Sequence, residues 1–184
     1  MPVKPDRWII DMVREHEMIK PFAASQVRTG ISFGTSSYGY DFRLSNEFKI
    51  LDAANIKELD PAGIRPEDYR DIKADSILIE PNSFVLGRTI EYFKIPRDIL
   101  TICFGKSTYA RMGVIVNVTP FEPEWEGYAT ISLTNSAPVP ARVYANQGIA
   151  QLVFLEAAEE CINSYRDKAG KYQAQREITI SKPD

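Results

Sequence analysis

The chain has 184 residues, and its 44% hydrophobic and 26% charged content is that of a globular protein long enough for one domain with a sizeable core. Its formal net charge of -3 excludes a general nucleic-acid binder, which needs a basic excess to release counterions, so any phosphate site must be local. No stretch approaches the roughly 20 apolar residues of a membrane span, and two distant cysteines, Cys103 and Cys161, with no signal-like apolar opening, predict a reduced cytoplasmic setting.

Trp8, Ile9, Met12 and Val13 recur at helical spacing opposite Arg7, Asp11, Arg14 and Glu15, which predicts an amphipathic N-terminal helix with Asp6 as its cap. After Pro21 the composition changes to short runs rich in Val, Ile, Tyr, Phe and Thr, broken by Pro, Gly, Asn and Asp. Residues 36–44 read as a strand in which Gly39 permits close backbone approach or a bulge, and 48–51 as another. Residues 52–75 are charged, with turn signals at Asp60-Pro61 and Arg65-Pro66, and read as a surface excursion. Strands resume at 76–79, 83–92 and 100–104.

The segment GKSTYARMG (105–113) opens with a basic stretch able to make one or two helical turns, with Ser107 and Thr108 placed to cap it and Gly113 to close it. Free backbone N–H groups, a short dipole and the charges of Lys106 and Arg111 suit an anion such as phosphate; a solvated surface turn accounts for the same letters. GKST also ends a Walker A loop, but that motif needs a glycine where Leu100 stands, so a P-loop is rejected.

Further strands are expected at 114–118, 128–134, 141–144 and 149–155, a spacing that points to an antiparallel barrel or jelly roll. The strand 128–134 alternates, with Tyr128, Thr130, Ser132 and Thr134 on one face and Ala129, Ile131 and Leu133 on the other. Its polar face meets either solvent or a ligand. The polar end of the chain, 165–184, reads as a flexible tail or as a lid.

Four blocks in series, SSYGYDFR (36–43), GKSTYARMG (105–113), VNVTPFEPEWEG (116–127) and GKYQAQR (170–176), carry a likeness over nearly the whole chain. In these the sequence resembles the dCTP deaminase family, relatives of the trimeric dUTPases. The resemblance implies a mainly β, dUTPase-like distorted barrel with a short N-terminal helix, one domain over 1–184 with 165–184 as its lid, and a homotrimer with sites shared between subunits. The implied reaction is hydrolysis of dCTP to dUTP and ammonia in pyrimidine deoxynucleotide supply. Lys106, Ser107 and Arg111, with Thr108, Tyr109 and Ala110 of the same turn, are implied at the triphosphate or the reacting water. Thr130, Ile131 and Ser132 are implied at the base and sugar, and Gln151, Tyr165, Lys171 and Gln175 complete the pocket and lid. Magnesium is implied on the triphosphate, with no ligands from protein side chains, and dTTP as an inhibitor. Lys106 stands where relatives carry Lys or Arg, which alters bidentate geometry but not charge.

Zinc-dependent nucleobase deaminases need a His or Cys followed two residues on by Glu, and a later Pro-Cys-x-x-Cys. The single histidine, His16, is followed directly by Glu17, so no zinc is expected and deamination is metal-free at the reacting carbon. One departure from the family matters for that chemistry: Ser132 stands where the deaminases carry a catalytic glutamate. Deamination at cytosine C4 requires a base for the attacking water and an acid for the ring nitrogen and leaving ammonia. A carboxylate with a pKa raised by burial does both in turn, an effect worth about 100- to 10,000-fold. A serine hydroxyl has no such pKa near neutrality unless another base activates it, and no histidine is available for that. The expectation is retained nucleotide binding with impaired deamination, or a binding homologue without activity. Glu122 falls where dUTPase-like relatives carry a water-activating aspartate, and reads either as a structural acid at a turn or as the base for phosphate-chain hydrolysis.

Overall fold

Short β-branched and aromatic runs separated by turn residues build an antiparallel sheet that carries most of the fold. The computed structural model describes residues 2–182, so the last two residues of the expected lid, 183 and 184, lie outside the described residues. Helix α1 (Asp6–His16) sinks Ile9 into the core and lays Trp8 on Phe154 with ring centroids 5.8 Å apart. Its start differs from expectation. Pro5 is the N-cap, and Asp6 sits in the first turn, where its carboxylate accepts the Arg7 N–H and complements the helix dipole.

Strands β1 (Ile19–Lys20) and β2 (Gly34–Ser36) precede β3 (Gly39–Leu51), which runs unbroken through what the sequence divides into two strands. The polar Ser45, Asn46 and Glu47 resemble a turn in sequence but form an irregularity inside the strand, with the Glu47 N–H donating to Ser45 Oγ. At Gly39 the Leu152 carbonyl oxygen lies 2.6 Å from where a Cβ would stand, which is the close approach expected there. The excursion at 52–75 contains short 3₁₀ turns at Ala53–Asn55 and Pro66–Asp68 and then β4 (Tyr69–Lys73), an edge strand paired with the end of β3. Only Tyr69 and Ile72 of β4 are partly buried; charges on the other residues hide the strand from hydrophobic alternation and protect an open edge.

The remaining strands fall within two residues of the expected positions: β5 (Ser76–Ile79), β6 (Phe84–Lys94), β7 (Ile99–Gly105), β8 (Val114–Asn117), β9 (Glu126–Asn135), β10 (Ala141–Tyr144) and β11 (Gly148–Glu156). Helix α2 (Ser107–Ala110) links β7 to β8. The main sheet runs β7-β11-β3-β6-β9-β8, with β1 on β6 and both β2 and β4 on β3, while β10 pairs with β5. Curling of this sheet gives a mainly β, nearly closed barrel. Phe42, Phe93, Phe121 and Trp125 form a chain of ring contacts 4.7 to 5.9 Å long from the barrel interior to the loop before β9. Arg43 and the fully buried Glu91 join β3 to β6; burial pushes the Glu91 carboxyl up, and the Arg43 guanidinium 2.8 Å away opposes that shift. Among the described residues, no helix is long and apolar enough to cross a membrane.

Candidate functional site

The alternation of β9 places Ala129, Ile131 and Leu133 in the core and leaves Thr130 and Ser132 half-buried on the outer face. These two side chains face a cleft of about 1080 Å³. Its other walls are the loop between β8 and β9 and the chain end from Tyr165 onward. The loop is pinned from inside: buried Thr101 donates its hydroxyl to the Phe121 carbonyl and accepts the Phe121 N–H.

Residues 165–182 fold across the cleft as an ordered strap. Trp125 Nε1 donates to the Tyr172 carbonyl at 2.9 Å, the Ala174 N–H to Glu126, and the Tyr128 N–H to Gln175, whose side-chain amide donates back to the Tyr128 carbonyl. The Thr179 N–H reaches Thr130 Oγ1 at 3.0 Å, and Arg176 lies over the Tyr92 ring. Gly127, at φ 147°, lets the strap come this close, because a Cβ there would stand 3.0 Å from the Gln175 amide nitrogen. Glu122 is the carboxylate on the cleft wall, and it pairs with the Lys168 ammonium at 2.5 Å; that hydrogen bond raises the Lys168 pKa.

The basic turn is built differently from its sequence expectation. Lys106 is the N-cap of α2 and no side chain caps the helix, so Ser107 and Thr108 lie inside it rather than at its cap. The Lys106 side chain is only 14% exposed, its ammonium held by Asp41 at 2.6 Å and by Ser32 Oγ at 3.1 Å. Asp41 also accepts from Gln26. Ser107, Thr108, Ala110 and Arg111 are exposed, and Arg111 Nη1 donates to the Ser107 carbonyl at 3.1 Å. Tyr109 is buried with its hydroxyl accepting the Tyr144 N–H, and burial pushes its phenol up. The side chains of Tyr109 and Ile131 therefore belong to the core, and only their backbone atoms remain for a ligand. Gly113 closes the turn at φ 77°.

The expected site residues thus fall into two groups. Thr130, Ser132, Tyr165, Lys171 and Gln175 surround the cleft, whereas none of residues 106–111, nor Gln151, lines it. Gln151 is half-buried and donates to Ser36 Oγ. His16 sits at the end of α1 beside Glu15, 62% exposed, and is not a cleft residue. Lys168 and Thr179 were not legible as site residues, because their partners Glu122 and Thr130 are remote in sequence and no short motif joins them.

Three comparisons bear on this geometry. The profile of the dCTP deaminase-like family matches residues 3–157. A dCTP deaminase of Methylococcus capsulatus is 56% identical over 99% of this chain and 100% of its own length, and one of Thiobacillus denitrificans is 54% identical with the same coverage. A dCTP deaminase of Coxiella burnetii is 55% identical over 98% of each chain. Among solved structures, the 2'-deoxycytidine 5'-triphosphate deaminase from Agrobacterium tumefaciens superposes with a TM-score of 0.64 at 15% identity. That match covers 83% of this chain and 47% of the other, and speaks to the fold alone.

Proposed function

The chain belongs to the dCTP deaminase-like family, and we propose that the cleft between β9 and the strap takes dCTP and hydrolyses its 4-amino group, yielding dUTP and ammonia. The observation that carries this reading is the polar face of β9, where Thr130 and Ser132 project into a cleft roofed by Tyr165, Lys171 and Gln175.

Deamination adds a water oxygen to C4, puts a proton on N3, and breaks the C4–N4 bond as ammonia leaves with a second proton. The strap and the β8–β9 loop shield the reacting ring from bulk water, and Thr130 is oriented by the Thr179 N–H. Ser132 can hold the attacking water by hydrogen bonding but cannot carry its proton near neutral pH. Binding is therefore retained and turnover is low. A second reading, hydrolysis of the phosphate chain, is favoured by Glu122 on the cleft wall, although its pairing with Lys168 keeps that carboxylate occupied.

The basic turn lies outside the cleft of its own chain, so the triphosphate of a nucleotide bound there meets Ser107 and Arg111 of another copy. A homotrimer supplies that copy, and exposed Phe104, Met112 and Ile115 next to the turn are apolar surface for the contact. Magnesium enters on the triphosphate, whose hard oxygen atoms suit it, since Glu122, the carboxylate on the cleft wall among the described residues, is already paired to Lys168. A 4-oxo pyrimidine triphosphate such as dTTP fits the same cleft as an inhibitor, and a free nucleotide substrate accords with a cytoplasmic location.

The test is calorimetric binding of dCTP together with ammonia and pyrophosphate release in the presence of magnesium. The unaltered chain binds dCTP, and Ser132→Glu, whose added volume enters the cleft, raises ammonia release at least about 100-fold. Absence of dCTP binding overturns the substrate assignment. Vigorous deamination by the unaltered chain moves the proton transfer to another group, and pyrophosphate release without ammonia selects Glu122.

A further inference from the structure

Arg97 belongs to none of the motifs that carry the family likeness, yet three segments meet on its guanidinium. It follows β6, and its Nη1 donates to Glu124 Oε2 at 2.6 Å in the loop before β9. Its Nη2 lies 2.9 Å from Asp167 Oδ2 and donates to the carbonyls of Cys161 and Ile162 at 3.2 and 3.1 Å. Nε faces Glu160 at 3.7 Å, and Arg166 adds a second cation against Glu124 at 3.4 Å.

No helix or strand organises the stretch between β11 and Tyr165, and Ile162 within it is 91% exposed. Where the strap begins is therefore decided by a few local contacts, the Tyr165 N–H to the Pro123 carbonyl and side-chain anchors among them. Arg97 is an anchor that reaches both cleft walls, alongside the direct pairs Lys168–Glu122 and Arg166–Glu124. On one side it holds Glu124, whose left-handed φ of 61° needs outside support, and Glu124 sits between the cleft residues Pro123 and Trp125. On the other side it holds Asp167, which with Ser164 forms a closed pair of hydrogen bonds bracketing Tyr165, and the Tyr165 N–H in turn donates to Pro123.

We propose that Arg97 is a positioning residue for the nucleotide site: its planar fork sets the root of the strap against the β8–β9 loop so that Tyr165, Tyr172 and Gln175 close over the cleft. The inference rests on the reading of that cleft as the dCTP site. A lysine does not replace this arginine, because a single ammonium cannot satisfy two carboxylates and two carbonyls in one plane. Without the guanidinium, Glu124, Glu160 and Asp167 are left facing one another with Arg166, on Glu124, as the remaining cation among the described ion pairs.

The experiment compares the unaltered full chain with Arg97→Gln, Arg97→Lys and Asp167→Asn, using two readouts. Without nucleotide, strap closure is followed by tryptic cleavage after Lys168 and Lys171 and by the fluorescence of Trp125, whose indole is bound by the strap. With nucleotide, dCTP affinity is measured by calorimetry. Arg97→Gln is expected to speed cleavage and weaken dCTP binding at least tenfold. Arg97→Lys recovers only part of the loss, and adding Asp167→Asn to Arg97→Gln costs little more than either alone. If Arg97→Gln fails to fold, Asp167→Asn probes the same anchor from the strap side. Unchanged cleavage, or a loosened strap with unchanged dCTP affinity, overturns the inference. Failure of the unaltered chain to bind dCTP overturns the nucleotide reading, while the cleavage rates still decide whether Arg97 anchors the strap.

Discussion

Two cations in one short turn have opposite roles, and burial is what separates them. The Lys106 ammonium is tucked against Asp41, itself 5% exposed, so it neutralises an internal carboxylate before any phosphate arrives. Arg111 is on the surface, touching only the Ser107 carbonyl among the described hydrogen bonds. Replacing Arg111 by Ala is expected to weaken dCTP binding by more than about 1.4 kcal/mol, a tenfold change in dissociation constant, with little effect on thermal stability. Replacing Lys106 by Ala instead leaves Asp41 buried without its partner, and is expected to destabilise the fold by about 3–5 kcal/mol. Calorimetric titration and thermal melts of the two variants check this contrast; an unchanged dissociation constant for Arg111→Ala removes the turn from the site.

At the scale of elements, the strap is held by polar and ionic contacts as well as by the buried Ile178 and the packed Tyr165 ring, and the ionic contacts make its closure respond to pH. The Glu124 carboxyl is held below its ordinary range by a hydrogen bond from Ser164, with Arg97 and Arg166 adding to the effect. Asp167 is lowered by the Ser164 amide and then by Arg97. Both are depressed in the closed form, so their contribution is present above the ordinary carboxylate range and is lost as pH falls through the lowered values. Closure is therefore expected to be constant near neutrality and to weaken only as pH falls below the ordinary carboxylate range. Glu160 and Arg166 face the same cluster. Trp125 fluorescence against pH, read alongside a far-ultraviolet signal for the sheet, separates strap opening from global unfolding. A strap that opens only together with the sheet contradicts the expectation.

For the whole molecule, the division of the site into a cleft and a remote basic turn makes assembly part of function. If sites are shared, sedimentation at micromolar concentration is expected to show about three chains, and mixing Arg111→Ala with a strap-defective Asp167→Asn chain is expected to regenerate some intact sites. A monomer that binds dCTP as well as the assembled form contradicts shared sites.

The alternation of β9, the strand runs from β5 to β11 and the four motif blocks were legible in the sequence, because a period of two and local turn chemistry are properties of neighbouring residues. Charged β4 and the unbroken β3 were not, since an edge strand and an internal irregularity both imitate loops. Nor could sequence separate Lys106 from Arg111, join Glu122 to Lys168, or bring Arg97 to the root of the strap. Those pairings link residues far apart in the chain, and only closure of the barrel, with the chain end returning across β9, decides which charges are buried together and which face the cleft.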